Sequence, residues 1–321
     1  MTTDLHVILG TGPVGTWTAR ALLGLGLRVR AINRSGDRPD LLPDDVEVVA
    51  ADVSDPARAI AAAEGAAVVY QALNPPYHRW PELFPALQQG ALAAAAAAGA
   101  GARYVSIDNL YMYGRVDGPI RADSPEHPHT VKGRLRAAMA HEVLDAHAAG
   151  QVRAAVLRSS DYYGPGVLGS ALGERTFGPL VADGKAEVLG SADVPHAFAY
   201  IEDVGRAAAT LGTRDEALGL TWITPHAPAL TQRDMLERAS GPLGREPRIR
   251  VMGAAMMRIG GIFIPEARAT VEMLYEFTEP FLVDSSRIEE AFGLTATPVD
   301  EGLRRTVDWY RTRAEGRGGS E

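Results

Sequence analysis

Gly10-Thr11-Gly12-Pro13-Val14-Gly15 follows the apolar run Leu5-His6-Val7-Ile8-Leu9 and opens a helical pattern that runs to about Leu25. Glycines at this spacing, between a strand and a helix, suit a pyrophosphate. Gly10 permits the tight turn, Gly12 lets the backbone approach the phosphates, and Gly15 allows helix to pack on strand. The helix N-terminus adds free N–H groups, so Gly10 to Gly15 are expected to hold a dinucleotide. The next strand ends in Asn33-Arg34, where a carboxylate would be needed to accept from a ribose 2′-hydroxyl. A guanidinium instead pairs with a 2′-phosphate. NADP is therefore the expected cofactor, with NAD as the alternative. Asp52-Val53 is expected near the adenine, and Ala72-Leu73-Asn74, at the end of the fourth strand, completes the expected cofactor set.

Other side chains point to a substrate. Asn74-Pro75-Pro76-Tyr77-His78-Arg79-Trp80 follows the fourth strand, where ligands enter open α/β folds, and offers stacking surfaces. Tyr162, Tyr163, Met256, Met257 and Phe263 are candidates for an apolar pocket wall, each weighed against plain core packing. His6, His127, His129, His141 and His147 show no metal-ligand spacing with carboxylates, and no metal is expected.

The elements that must position these residues alternate. Val29–Ile32, Val46–Ala51, Ala67–Ala72, Arg103–Ile107, Val152–Leu157 and Thr221–Ile223 have the apolar character of buried strands. Helical patterns near Asp55–Glu64, Pro81–Ala98, Val131–His147 and Asp203–Leu211 lie between them. This order predicts an α/β fold with a doubly wound parallel sheet of Rossmann type. Residues 1–160 with about 196–225 are expected to form the dinucleotide-binding domain. About 161–195 and 226–314 should build a smaller substrate-binding region, and 315–321 a disordered tail.

With 321 residues and 46% hydrophobic content, the chain can bury a large core. Zero cysteines exclude disulfides and thiol chemistry. A net charge of −8 argues against nucleic acid as a partner. No signal peptide or membrane span is expected, so a cytoplasmic location follows.

In their order, several segments resemble the extended short-chain dehydrogenase/reductases of the NAD-dependent epimerase/dehydratase type. They are the glycine loop, Ala51-Asp52-Val53, Tyr104–Gly114, Leu157–Gly166, Tyr200–Val204, Phe281–Ser286 and Gly302–Tyr310. Leu9 stands where the extended group has its first glycine, and the G-x-G-x-x-G form is more typical of atypical members. The resemblance implies an NAD(P)-dependent enzyme and a homodimer through the helices after the fourth and fifth strands.

The family's catalytic pair is a Tyr followed four residues later by a Lys. The two lysines here, Lys132 and Lys185, have Pro128 and Val181 at that spacing. By position, Lys132 takes the Tyr place, Arg136 the Lys place and Asn109, beside Asp108, the Ser/Thr place. A Lys-x-x-x-Arg similarly opens this helix in phenylpropanoid and isoflavone reductases. Three readings stay open. Lys132 is a general acid/base with a lowered pKa; or it only binds the nicotinamide ribose, leaving the proton to a substrate group, a water or Tyr111; or catalysis is lost and the protein senses its cofactor. Where sugar-nucleotide members carry an Asn and an Arg for the diphosphate, this chain has Asp161 and His196. A carboxylate repels a diphosphate, which disfavours that substrate. The expected function is that of an NADP-preferring oxidoreductase or epimerase. Its substrate would be a small carbonyl or conjugated alkene, aromatic or polyketide-like, with a non-catalytic regulator as the alternative. Tyr77, Asp108, Asp161, Tyr162, Tyr163 and His196 are the expected substrate residues.

Overall fold

The computed structural model describes residues 4–318. Seven parallel strands form one sheet. They are β1 (Leu5–Leu9), β2 (Arg28–Asn33), β3 (Glu47–Ala50), β4 (Ala66–Gln71), β5 (Arg103–Asp108), β6 (Arg153–Arg158) and an edge strand, Thr221–Ile223. The order from that edge is β6, β5, β4, β1, β2, β3, so the winding reverses between β1 and β4. All five residues of β1 are buried, as a central parallel strand covered on both faces requires.

Helices α1 (Pro13–Gly24), α2 (Pro56–Ala62), α3 (Trp80–Ala97), α4 (Val131–Ala148), α5 (Glu174–Val181) and α6 (Ile201–Thr213) follow in chain order. Strand alternation divides the core. Ile8, Tyr70, Val105 and Leu157 face α1 and α6, whereas Val7, Val69, Tyr104 and Val156 face α2, α3 and α4. Helix α3 ends in a run of alanines and buries Ala91, Ala94 and Ala95. Helix α4 starts at Thr130, whose hydroxyl accepts from the Gly133 N–H at 3.0 Å.

A third core gathers Tyr163, Leu172, Phe177, Phe198, Leu236, Leu303 and Tyr310. Beside it Lys185–Leu189 pairs in parallel with Arg248–Met252. Three details depart from the sequence-based division. Phe198 and Tyr200 pack in this third core, since Ala199–Tyr200 pairs with Tyr162–Tyr163. Ile288, in the helix Ser286–Phe292, packs instead into the sheet core. The C-terminal helix runs from Val299 to Gly318, so residues 315–318 are helical rather than a tail. Its last turns are anchored by Arg313, which bonds to Glu174 and lies over the Trp309 ring. Residues 319–321 of the expected tail lie outside the described residues. Among the described residues no helix is long and apolar enough to cross a membrane.

Candidate functional site

The crevice where the winding reverses carries the glycine loop. Gly10 adopts φ +104°, and a Cβ there would lie 2.7 Å from the Ala72 carbonyl oxygen. A Cβ on Gly15 would lie 2.0 Å from the Gly10 oxygen, so helix and loop need glycine to meet. Gly12 differs: a Cβ there meets nothing within 4 Å. Gly12 is the N-cap of α1, with Pro13 in its first turn and no acidic residue there. The loop thus leaves space in front of unpaired helix N–H groups, which fits a pyrophosphate.

Asn33 and Arg34 divide their labour. The Asn33 amide donates to Thr11 Oγ1 at 3.0 Å and to the Asp37 carbonyl at 2.7 Å, and accepts from the Gly36 N–H at 2.6 Å. It braces the loop around the ligand space. Arg34 is exposed. Asp52 takes two hydrogen bonds from Ser54, which together with the Arg34 charge hold its carboxyl below the usual range. Val53 is core, 2% exposed.

Beyond the loop lies a cavity of about 250 Å³. Gly12, Pro13, Val14 and Ala72-Leu73-Asn74 line one end. Asp108, Asn109, Tyr111, Asp161, Tyr162 and Glu276 are also on the lining, with Tyr77, Trp80 and Phe281 as aromatic wall. At the end of β5, Asn109 accepts from the Tyr111 N–H at 3.1 Å and so shapes the turn Tyr111–Tyr113. That turn brings the Tyr111 hydroxyl to 3.3 Å from the hydroxyl of Tyr77. Trp80 stacks on Tyr111 at 6.0 Å and meets Tyr77 edge-on at 4.8 Å. Burial pushes both phenols well above their ordinary value, and the Asp161 and Glu276 charges add to the rise.

Arg136 also lines the cavity but is closed on itself. Its guanidinium pairs with Asp108, donates to the Ile107 carbonyl at 3.0 Å and packs over Phe84 and Trp80. Lys132 stands elsewhere. Its ammonium donates to Glu272 Oε1 and to the Ala269 carbonyl, both at 2.8 Å, and lies 4.4 Å from the Tyr77 ring centre. Lys132 is 4% exposed and does not line the cavity.

Two expected substrate residues also fall outside the lining. Tyr163 follows Tyr162 on a short strand and so faces the other way, into the third core, against Tyr200. His196 lies behind Asp161, its Nε2 3.2 Å from Asp161 Oδ2, and stacks on Phe277 and Phe281. Of the apolar candidates, Phe263 is 84% and Met256 46% exposed, while Met257 packs with Ala267 and Leu274. None of the three lines the cavity.

Glu276 escaped sequence reading. It is 1% exposed, and its hydrogen bond from the Tyr275 hydroxyl is long, 3.5 Å. Burial, and secondly the Asp161 charge, raise its carboxyl well above the ordinary value. It lies in a 3₁₀ segment, Val271–Phe277, without a periodic signal. Among the described residues no group of three His, Cys, Asp or Glu side chains is placed to hold a metal ion.

No curated protein matches the chain. Among solved structures, that of gox2253 superposes with a TM-score of 0.78 at 17% identity, covering 97% of this chain and 99% of the other. A UDP-glucuronic acid 4-epimerase from Bacillus cereus in complex with NAD gives 0.73 at 15%, over 96% and 99%. A nucleoside-diphosphate-sugar epimerase from Pseudomonas aeruginosa gives 0.73 at 20%, over 97% and 98%. At these identities the likeness establishes the fold, a Rossmann-type α/β architecture. The model of the NAD-dependent epimerase/dehydratase family matches residues 7–219, well over half of the chain, and the protein belongs to that family.

Proposed function

We propose that the protein is an NADP-preferring oxidoreductase or epimerase acting on a small carbonyl or conjugated-alkene compound, aromatic or polyketide-like. One observation carries this reading: a single cavity is lined both by Gly12, Pro13 and Val14 and by Asn109 and Tyr111. A sensor needs a dinucleotide site alone, whereas here that site opens onto a pocket of small-molecule scale. Held along Gly10–Gly15, a nicotinamide dinucleotide supplies or takes up a hydride. The Asn109 amide and the Tyr111 hydroxyl hold the substrate oxygen. With Arg136 committed to Asp108 and Lys132 to Glu272, no free cation among the described residues lowers the Tyr111 phenol, which stays protonated. A protonated Tyr111 can give its proton to a developing alkoxide, and the Tyr77 hydroxyl at 3.3 Å can replace it. Reduction is therefore favoured over oxidation, because oxidation needs the phenolate.

The sugar epimerases among the structural neighbours favour a second reading, a sugar nucleotide. Against it, Asp161 and Glu276 line the cavity, and Arg136, the one lining cation among the described residues, is already paired. Calorimetric titration with UDP separates the two: the small-carbonyl reading expects binding no tighter than millimolar, about 4 kcal/mol. Micromolar UDP binding restores the sugar nucleotide. With NADPH and aromatic ketones, loss of the reduced-nicotinamide absorbance is expected, and Tyr111→Phe should cut kcat about 100-fold without changing the NADPH dissociation constant. Arg34→Ala should weaken NADPH more than NADH by about 1.5–3 kcal/mol. Dinucleotide binding with no turnover on any carbonyl tested would favour a regulator.

A further inference from the structure

The cavity places carboxyl groups against aromatic rings and, among the described residues, supplies them with no free cation. Glu276 is 99% withdrawn from solvent, lines the cavity, and receives only the long bond from Tyr275. Asp161 faces the same space, with His196 behind it. Ser170, also on the lining, has a buried hydroxyl without a partner. Around them stand Tyr77, Trp80, Tyr111, Tyr162 and Phe281. The single cation on the wall among the described residues, Arg136, is paired with Asp108.

We infer that the substrate carries a protonated amine, bound by the Glu276 and Asp161 carboxyls and by the faces of the aromatic wall. This rests on the small-carbonyl reading and sharpens it to an amino-carbonyl class. A carboxyl group buried without a counter-ion is costly as an anion. An arriving ammonium supplies the counter-ion, so that Glu276 can ionise as the ligand binds. Aromatic faces attract the same charge, most strongly where water is excluded. An anionic substrate would meet the Asp161 and Glu276 carboxyls with, among the described lining residues, no free cation to offset them, and a neutral one would bring Glu276 no counter-ion.

The test uses the full chain, saturated with NADP+, and three probes of one shape: benzylamine, benzyl alcohol and benzoate, titrated by calorimetry. Benzylamine should bind at least about tenfold tighter than benzyl alcohol, and benzoate weakest of the three. Glu276→Gln should abolish the amine preference and leave benzyl alcohol binding within about twofold, which also reports that the variant is folded. If that variant does not fold, Asp161→Asn should reduce the same preference. Equal binding of amine and alcohol, tighter binding of benzoate, or an undiminished preference in the variants overturns the inference. Turnover of neutral ketones without an amine preference sinks the amine alone. An amine preference without any NADPH oxidation sinks the hydride reading alone.

Discussion

Gly12 and Gly15 stand three residues apart, and their missing side chains answer different needs. At Gly15 the space is filled by the Gly10 carbonyl 2.0 Å away, whereas at Gly12 it is open. Gly15→Ala should therefore lower stability by about 1–3 kcal/mol, seen as a lower urea midpoint. Gly12→Val should keep stability within about 1 kcal/mol and lose dinucleotide binding. Intact NADPH and NADH affinity in Gly12→Val would mean that the phosphates do not pass over this residue. The loop was legible because its geometry is local and glycine marks it. The role of Asn33 was not, since its bonds to Thr11 and Asp37 depend on where three segments meet. Glu276 was invisible for the same reason: it is one acid among many until folding removes its water.

At the scale of elements, α4 is tied to the segment before Phe277. Glu272 accepts from the Val131 N–H at 2.7 Å, at the exposed start of the helix, and from Lys132 at 2.8 Å. One carboxylate thus serves the helix dipole and the ammonium together. The Glu272 side chain is 28% exposed, so screening reduces what the pair contributes. Lys132→Met should lower stability by about 1–2 kcal/mol by chemical denaturation, while kcat at saturating cofactor stays within a few-fold. A loss of about 100-fold in kcat at unchanged stability would instead make Lys132 the acid. The parallel sheet was legible strand by strand, because buried parallel strands are continuous apolar runs. The smaller region was less so. Its strands are two to five residues long, and Lys185–Leu189 finds its partner some sixty residues later, at Arg248–Met252.

For the molecule as a whole, acid should be felt first through histidine. Burial lowers His226 and His6 from 6.5 to about 4. Below pH 6.5 the unfolded chain binds protons that the folded chain refuses, so stability falls as pH drops from 6.5 towards 4. Each histidine contributes a slope of up to about 1.4 kcal/mol per pH unit. Glu276 acts in the opposite sense. Its raised carboxyl keeps a proton that the unfolded chain releases above 4.5, so its contribution is present at low pH and is lost as pH rises. Urea denaturation between pH 4.5 and 7.5 should give a flatter stability curve for the double variant His6→Gln, His226→Gln than for the native chain. Parallel curves would show that these imidazoles do not govern the acid limb.

The cavity draws its walls from both ends of the chain. Tyr77, Trp80, Asn109 and Tyr111 come from one stretch before the middle of the chain, whereas Asp161 and Glu276 come later and lie more than a hundred residues apart. On the proposed reading, the groups at the substrate oxygen and those that meet the substrate's charge thus lie on separate stretches of the chain. In a lineage descended from this chain, drift at two positions would suffice to change the charge of what is accepted. The sheet, the glycine loop and the reacting end would remain as they are. Kinship along the first 160 residues would then say little about diet.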